Sequence, residues 1–353
     1  MKIAAIMLFI STYVLLLAFP KIRAYTALLS ALIFVCAGIL PVSDAFFEID
    51  WNVILMIAGT MGVVYLFIES KMPARLADMI IDKMPNVKWA VISLSLFAGI
   101  VSAFIDNVAT VLMIAPIAVV IAKKLNISPV PSVIAISVAS NLQGVATLVG
   151  DTTSILLGGY AGMDFFDFFV FLGKPGMFWV VQSGAIAATL VLMFIFRNAK
   201  QRIHLTEKTD VRDYFPTYLL IGLVIILILA SFIPDKPAVT NGLVCMSLFI
   251  IGIIRETIRK RSLRICVLAF KEIDYFTILL LLGLFVVIGG VRQAGVIDDI
   301  SRIFVKISGN NVFVIYTLLV WVSVLLSAII DNIPYVATML PVVSGIAGIM
   351  NIE

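Results

Sequence analysis

Long apolar runs separated by short polar clusters dominate the chain. Ile3 to Pro20, Ala24 to Leu40 and Tyr218 to Ile233 are three of these runs. Each is close to the roughly 17–25 residues that a helix needs to cross the hydrocarbon core of a bilayer. Two spans at about 215–233 and 238–254 are expected to be joined by the turn Pro234-Asp235-Lys236. The pattern predicts an all-α, polytopic membrane protein whose first partner is the lipid bilayer. Composition agrees, because 62% of the residues are hydrophobic and 13% charged, against roughly 25% charged in soluble domains.

The basic residues report topology. The loops Arg197 to Arg212 and Arg255 to Lys271 are rich in Lys and Arg and are expected on the cytoplasmic side. Counting backward places the loop with Lys71, Arg75, Lys83 and Lys88 and the turn Lys21 to Arg23 inside, and Asp44, Glu48 and Asp50 outside. The expectation is a multi-pass cell-membrane protein with an external N-terminus. Lys2 precedes the first run, but no small-residue cleavage site follows before Lys21, so that run is expected to be retained. A net charge of +4 spread over short loops does not suggest nucleic-acid binding. Cys36, Cys245 and Cys266 show no paired spacing, which argues against a zinc site or a disulfide framework. The lone His204, between Arg202 and Glu207-Lys208, reads as a surface residue.

The segment from Lys88 to Lys123-Lys124 begins and ends in basic residues, and Asp106-Asn107 interrupts its centre. It reads as a re-entrant helical hairpin over about 88–123. The alternative is two tight full spans with an external turn, although arms of about 16–18 residues are short for crossing.

The motif recurs. Ser102-Ala103-Phe104-Ile105-Asp106-Asn107, with Val111 and Pro116, returns as Ser327-Ala328-Ile329-Ile330-Asp331-Asn332, with Val336 and Pro341, at a shift of 225. Glu48-Ile49-Asp50 with Ile54, Leu55 and Gly59 returns as Glu272-Ile273-Asp274 with Ile278, Leu279 and Gly283, at a shift of 224. Loop charges give the copies opposite orientations, which predicts inverted-topology repeats. The first occupies 1–197 and the second 215–353, with a hairpin at about 310–350 and the cytoplasmic loop 198–214 between them. Inverted repeats with interrupted helices point to an alternating-access transporter with a site near the midplane.

Asp106, Asp151 and Asp331 are site candidates because a carboxylate in hydrocarbon is costly unless paired or hydrated. Asn107, Asn332 and Thr110 add neutral oxygens, so sodium or a proton is the expected coupling ion, with sodium assigned to Asp106, Asn107, Asp331 and Asn332. Helix N-termini at the same tips suit an anionic substrate. Asp106 and Asp331 can also cap the second arm of their hairpins, and capping and ion binding can coexist. A second polar stretch, Ser140 to Ser154, interrupts an apolar segment of about 129–160 and contains Asn141, Gly144, Thr147, Asp151 and Thr152. It predicts an unwound transmembrane helix lining a cavity, with an ordinary loop between two short spans as the alternative. Asp164 to Phe169 reads as an interfacial amphipathic segment.

These residues resemble the ion transporter superfamily of arsenite efflux permeases, NhaD-type sodium/proton antiporters, the melanosomal P protein, and citrate and other divalent-anion/sodium symporters. The resemblance is carried by Asp106 to Pro116, by Asp331 to Pro341 and by Ser140-Asn141 through Thr147 to Asp151. It implies substrate- and ion-binding roles for Asn107, Thr110, Asn141, Thr147, Asp151 and Asn332. The Asp-Asn tips look more like the arsenite and antiporter branch than the Ser-Asn-Thr of dicarboxylate symporters. Gln143 stands where the superfamily often has Gly, and Thr152-Thr153-Ser154 where Pro-Pro-Asn is common. The chain ends at Glu353, without a second-half counterpart of Asn141 to Asp151. A shortened product, a partner chain that supplies the remainder and a non-transporting relative are three readings of that ending.

The expected function is secondary transport of a small anion or oxyanion, citrate-like or arsenite-like, coupled to protons or sodium, with a sodium/proton antiporter as the alternative. Enzymatic activity is not expected, and no organic cofactor is implied. Leu148-Val149-Gly150-Asp151 lacks the Gly-x-Gly-Asp context of membrane aspartyl proteases. No phosphate loop is present, so energy would come from a gradient or a partner ATPase. A homodimer stays open.

Overall fold

The computed structural model describes residues 1–351 apart from Asn126, 202–208, Arg212, Leu263 and Asn310. His204 and the middle of the 198–214 loop therefore lie outside the described residues. The described chain is almost entirely helical, and its strand pairing is one short antiparallel ladder of Val170–Phe171 with Lys174–Pro175. That balance follows from the apolar runs, because a helix satisfies its own backbone where no water is available.

In chain order the helices begin with α1 (Lys2–Ala18), α2 (Arg23–Cys36), α3 (Val42–Glu48), α4 (Trp51–Glu69) and α5 (Met72–Ile81). The middle holds α6 (Val87–Ser102), α7 (Asn107–Lys124), α8 (Val130–Gly144), α9 (Thr152–Ala161) and α10 (Met177–Ile195). Then come α11 (Phe215–Ala230), α12 (Thr240–Lys260), α13 (Arg264–Lys271), α14 (Tyr275–Gln293), α15 (Val296–Ser308), α16 (Val312–Ser327) and α17 (Asn332–Met350). Among the described residues, α4, α10, α12, α14 and α17 are each long and apolar enough to cross a membrane. The number rises to seven if the bent pairs α1 with Pro20–Cys36 and α15 with α16 each count as one span. The 111° bend of the first pair falls at Pro20, and α2, with 14 residues, is too short to cross alone. The two N-terminal apolar runs expected as spans form α1 and α2, which meet at this bend.

Two compact units form, Met1–Ile54 with Asp274–Glu353, and Leu55–Ile273. In the first, Phe34, Leu40, Val287, Val291, Ile297, Val342 and Ile346 share one core cluster. α2 and α14 approach closely at Gly283, where a Cβ would stand 2.5 Å from the Ala27 carbonyl carbon; small residues permit such backbone contact. α14 starts on Asp274, whose carboxylate accepts from the Thr277 amide at 3.0 Å and its hydroxyl at 2.6 Å.

In the second unit, Leu94 and Ala98 of α6, Ile114, Ala118 and Ile121 of α7, and Ile136 of α8 share a cluster. Leu125, just past α7, packs with Val87 and Val91 at the start of α6, so α7 returns along α6. α4 begins within the first unit, where Asp50 accepts from the Val53 amide at 3.0 Å, and in the second unit its Gly59 lies against the backbone of Cys245 in α12.

Several polar stretches read as loops are helical. Lys71 to Lys88 contains α5, and Arg255 to Lys271 is mostly the end of α12 and all of α13. The reason is local pairing, since Arg255, Arg259 and Lys260 surround the buried Glu256 one helical turn or less away. The stretch Asp164 to Phe169 packs on the protein with part of its side chains: Phe165 and Phe168 are buried, and Asp164 accepts from Lys236 at 2.5 Å and from Asn241 at 3.2 Å.

Candidate functional site

The second unit brings two chain breaks together. α6 ends at Ser102 and α7 begins at Asn107, while α8 ends at Gly144 and α9 begins at Thr152. Each restart is capped by an aspartate, as the preference for Asp at such positions anticipates. Asp106 accepts from the Ala109 amide at 3.1 Å, and Asp151 accepts from the Thr152 amide and the Thr153 hydroxyl, both at 2.8 Å.

Four hydrogen bonds join the breaks. Asn107 donates through Nδ2 to Asn141 Oδ1 at 2.5 Å. Ser140 donates to the Ser102 hydroxyl at 3.0 Å and to the Asn107 carbonyl at 3.1 Å, and Thr147 donates to the Ala103 carbonyl. Gly144 lies beside Asp151, Ser102 and Asn107. At Gly150 a Cβ would stand 2.4 Å from the Gly144 carbonyl oxygen, 2.7 Å from that of Ser102 and 2.8 Å from that of Ala103. Only glycine lets the α8–α9 link settle on the end of α6.

Two helix C-termini, rich in carbonyl oxygens, thus meet two helix N-termini with their amide donors. Thr110, in the first turn of α7, is fully buried with its hydroxyl oxygen unpaired. Such a donor set of amide, hydroxyl and carbonyl oxygens with single carboxylates suits an alkali cation, a proton or a polar anion. Among the described residues no cluster of three or more His, Cys, Asp or Glu could hold a transition metal. Gln143, the departure from the superfamily glycine, is turned away from this place: it exchanges two hydrogen bonds with Gln182, at 3.0 and 2.9 Å, and packs on Gly99.

Asp331 and Asn332 belong to the first unit, where α16 ends at Ser327 and α17 begins at Asn332. Asp331 caps α17 through the Ile333 amide at 3.1 Å, and Ser327 donates to Asn332 Oδ1 at 2.6 Å. Asp331 also forms an ion pair with Arg23. The Tyr13 hydroxyl bonds to the Pro334 carbonyl at 2.8 Å and to the Thr338 hydroxyl. Tyr13, Arg23, Ser327, Asp331, Asn332 and Pro334 line an open cleft of about 400 Å³. Of the predicted residues, Asn107, Asn141, Gly144, Thr147, Asp151 and Thr152 meet at one place, with Asp106 and Thr110 on the adjoining first turn of α7.

Sequence reasoning passed over Ser102, Ser140 and Gly150, although Ser327 repeats Ser102 and Ser140 precedes Asn141. It also read Arg23 as a topology signal. An arginine between two apolar runs was the available cue for more.

The citrate transporter family (CitMHS) matches residues 13–353. The uncharacterized transporter Rv2685 of Mycobacterium tuberculosis is 31% identical over 99% of this chain and 82% of its own length. The uncharacterized transporter slr0753 of Synechocystis is 23% identical over 93% and 74%. The mouse P protein is 32% identical over a stretch covering 31% of this chain and 13% of that protein. The chain therefore belongs to the citrate transporter (CitMHS) family and is a multi-pass membrane transporter of that type.

Proposed function

We propose that the protein is a secondary active transporter that carries a small carboxylate or oxyanion, citrate-like in chemistry, together with protons or sodium ions. The carrying observation is the meeting of the α6–α7 tip with the α8–α9 break. There, helix N-termini suited to an anion and unpaired or carbonyl oxygens suited to a cation share one small volume. The family description, citrate transporter, supports the choice of anion.

Alternating access by two related halves is supported by packing as well as by sequence. Gly59 lies against Cys245 as Gly283 lies against Ala27, at shifts of 224 and 218. Gly252 meets Leu66, and Gly290 meets Phe34, at the same two shifts with large and small residue exchanged. The capping aspartates Asp50 and Asp274 keep the first shift as well. In this reading the hairpins are re-entrant and the α8–α9 break lies near the midplane.

Proteoliposomes holding the purified chain, with proton and sodium gradients imposed separately, test the proposal. Citrate uptake driven by one of the gradients is the expected result. Sodium–proton exchange without citrate flux would favour an antiporter, the reading that the carboxylates at both tips also support. Absence of any gradient-driven flux from folded protein would overturn both.

A further inference from the structure

Arg23 opens α2 just after the 3-10 turn at Pro20–Ile22, and its guanidinium reaches across the first unit to the cap of α17. One terminal nitrogen, Nη1, holds the Asp331 carboxylate, and the group lies 5.8 Å from the centre of the Phe276 ring. The Nε–H is buried with no hydrogen-bond partner. A guanidinium carries five donors in a planar fork that fits two oxygens of one oxyanion. Here only part of that capacity is met, and the residue lines the roughly 400 Å³ cleft together with Tyr13, Ser327 and Asn332.

We propose that Arg23 is a ligand for the transported oxyanion in this cleft and that Asp331 is the internal anion that holds the guanidinium until substrate displaces it. The proposal rests on the anion-transport reading and adds to it a second oxyanion subsite, at the α16–α17 tip of the first unit, apart from the place described at the α6–α7 tip and the α8–α9 break. A carboxylate or a phosphate group would use the same chemistry, with two oxygens on the fork. The α17 cap does not depend on the ion pair, because Asp331 accepts from the Ile333 amide through Oδ1 while Arg23 takes Oδ2. Arg23 can therefore leave Asp331 while α17 keeps its start. The cost of release is the loss of one half-exposed charge pair, which an incoming oxyanion on the same guanidinium replaces.

The test is calorimetric titration of the purified full chain in nanodiscs with citrate and, separately, with inorganic phosphate. Wild type is compared with Arg23→Gln, Arg23→Lys and Asp331→Asn. Asp331→Asn keeps a capping side chain but removes the competing charge, so citrate is expected to bind about tenfold tighter, a gain that misfolding cannot imitate. Arg23→Gln should weaken citrate at least about tenfold, with Arg23→Lys between the two. Phosphate following the same order would place recognition in the oxyanion as such, whereas a response to citrate alone would assign the cleft to carboxylates. Citrate binding unchanged in both Arg23→Gln and Asp331→Asn would overturn the role of Arg23 and leave the transport reading intact. Absence of citrate and phosphate binding by folded wild type would overturn the anion reading itself.

Discussion

Asn107, the first residue of α7, donates to the side-chain carbonyl of Asn141, one turn before the end of α8. That bond connects the tip of one helix pair to the break in the next. Replacing either asparagine by alanine is expected to lower transport about tenfold. The double variant should cost less than the sum of the two, because both changes remove the same contact. A double-mutant cycle on citrate flux checks this, and strict additivity would show that the two side chains act separately.

Gly150 is where the link between α8 and α9 touches three carbonyl oxygens. Gly150→Ala should destabilise the fold by about 1–3 kcal/mol through overpacking and abolish flux. Gly222→Ala, at a glycine with nothing within 4 Å of the added carbon, should stabilise α11 by about 1 kcal/mol. Thermal unfolding of both variants, read alongside flux, separates a steric effect from a general intolerance of alanine.

Thr110 buries a hydroxyl oxygen without a partner. An unmet polar group of this kind costs about 1–3 kcal/mol, so Thr110→Val should raise the unfolding temperature. If the hydroxyl meets the coupling ion during transport, the same change should also weaken the dependence of citrate flux on that ion several-fold. A variant that is more stable and transports like wild type would remove Thr110 from the site.

Asp213, in the link before α11, pairs with Arg255 near the end of α12, and Arg255 sits 4.5 Å from the Phe215 ring centre. Burial acts to raise the Asp213 carboxyl, but the hydrogen bonds and positive charge of Arg255 and the hydrogen bond from the Phe215 amide outweigh it and hold the group down to about 2 from 3.8. A lowered carboxylate pKa contributes stability that is complete above the unfolded value and is lost as pH falls through the folded one. Asp213→Asn should therefore be less stable than wild type near neutral pH. The difference should close between about pH 4 and pH 2 when unfolding is followed against pH. A difference that stays constant through that window would mean that the charge of Asp213 is not what stabilises the loop.

Much of the fold is legible in the sequence because apolar runs of membrane length have few alternatives to helix. Asp106 and Asp331 mark helix starts by their chemistry, and the polar stretch after Ser140 marks a break because a continuous helix would leave its side chains in hydrocarbon. The sequence is less informative where pairing is distant. Arg23 finds Asp331 across 308 positions, and no local pattern reports such a contact. Gln143 looks like a site residue by its neighbours, yet its partner is Gln182 on α10, chosen by the way α8 and α10 pack. Basic residues at Arg255 and beyond imitate a loop because a count of charges does not reveal that the buried Glu256 gathers them on a helix.

Citrate flux driven by an imposed proton or sodium gradient, compared between wild type and Asp106→Asn in proteoliposomes, tests the central claim most directly. Asparagine caps a helix about as well as aspartate, so α7 should keep its start and the variant should fold. The account predicts gradient-driven uptake in wild type and at least about a tenfold loss in the variant, as expected when one carboxylate that handles the coupling ion is removed. Wild-type flux from folded Asp106→Asn protein would contradict it.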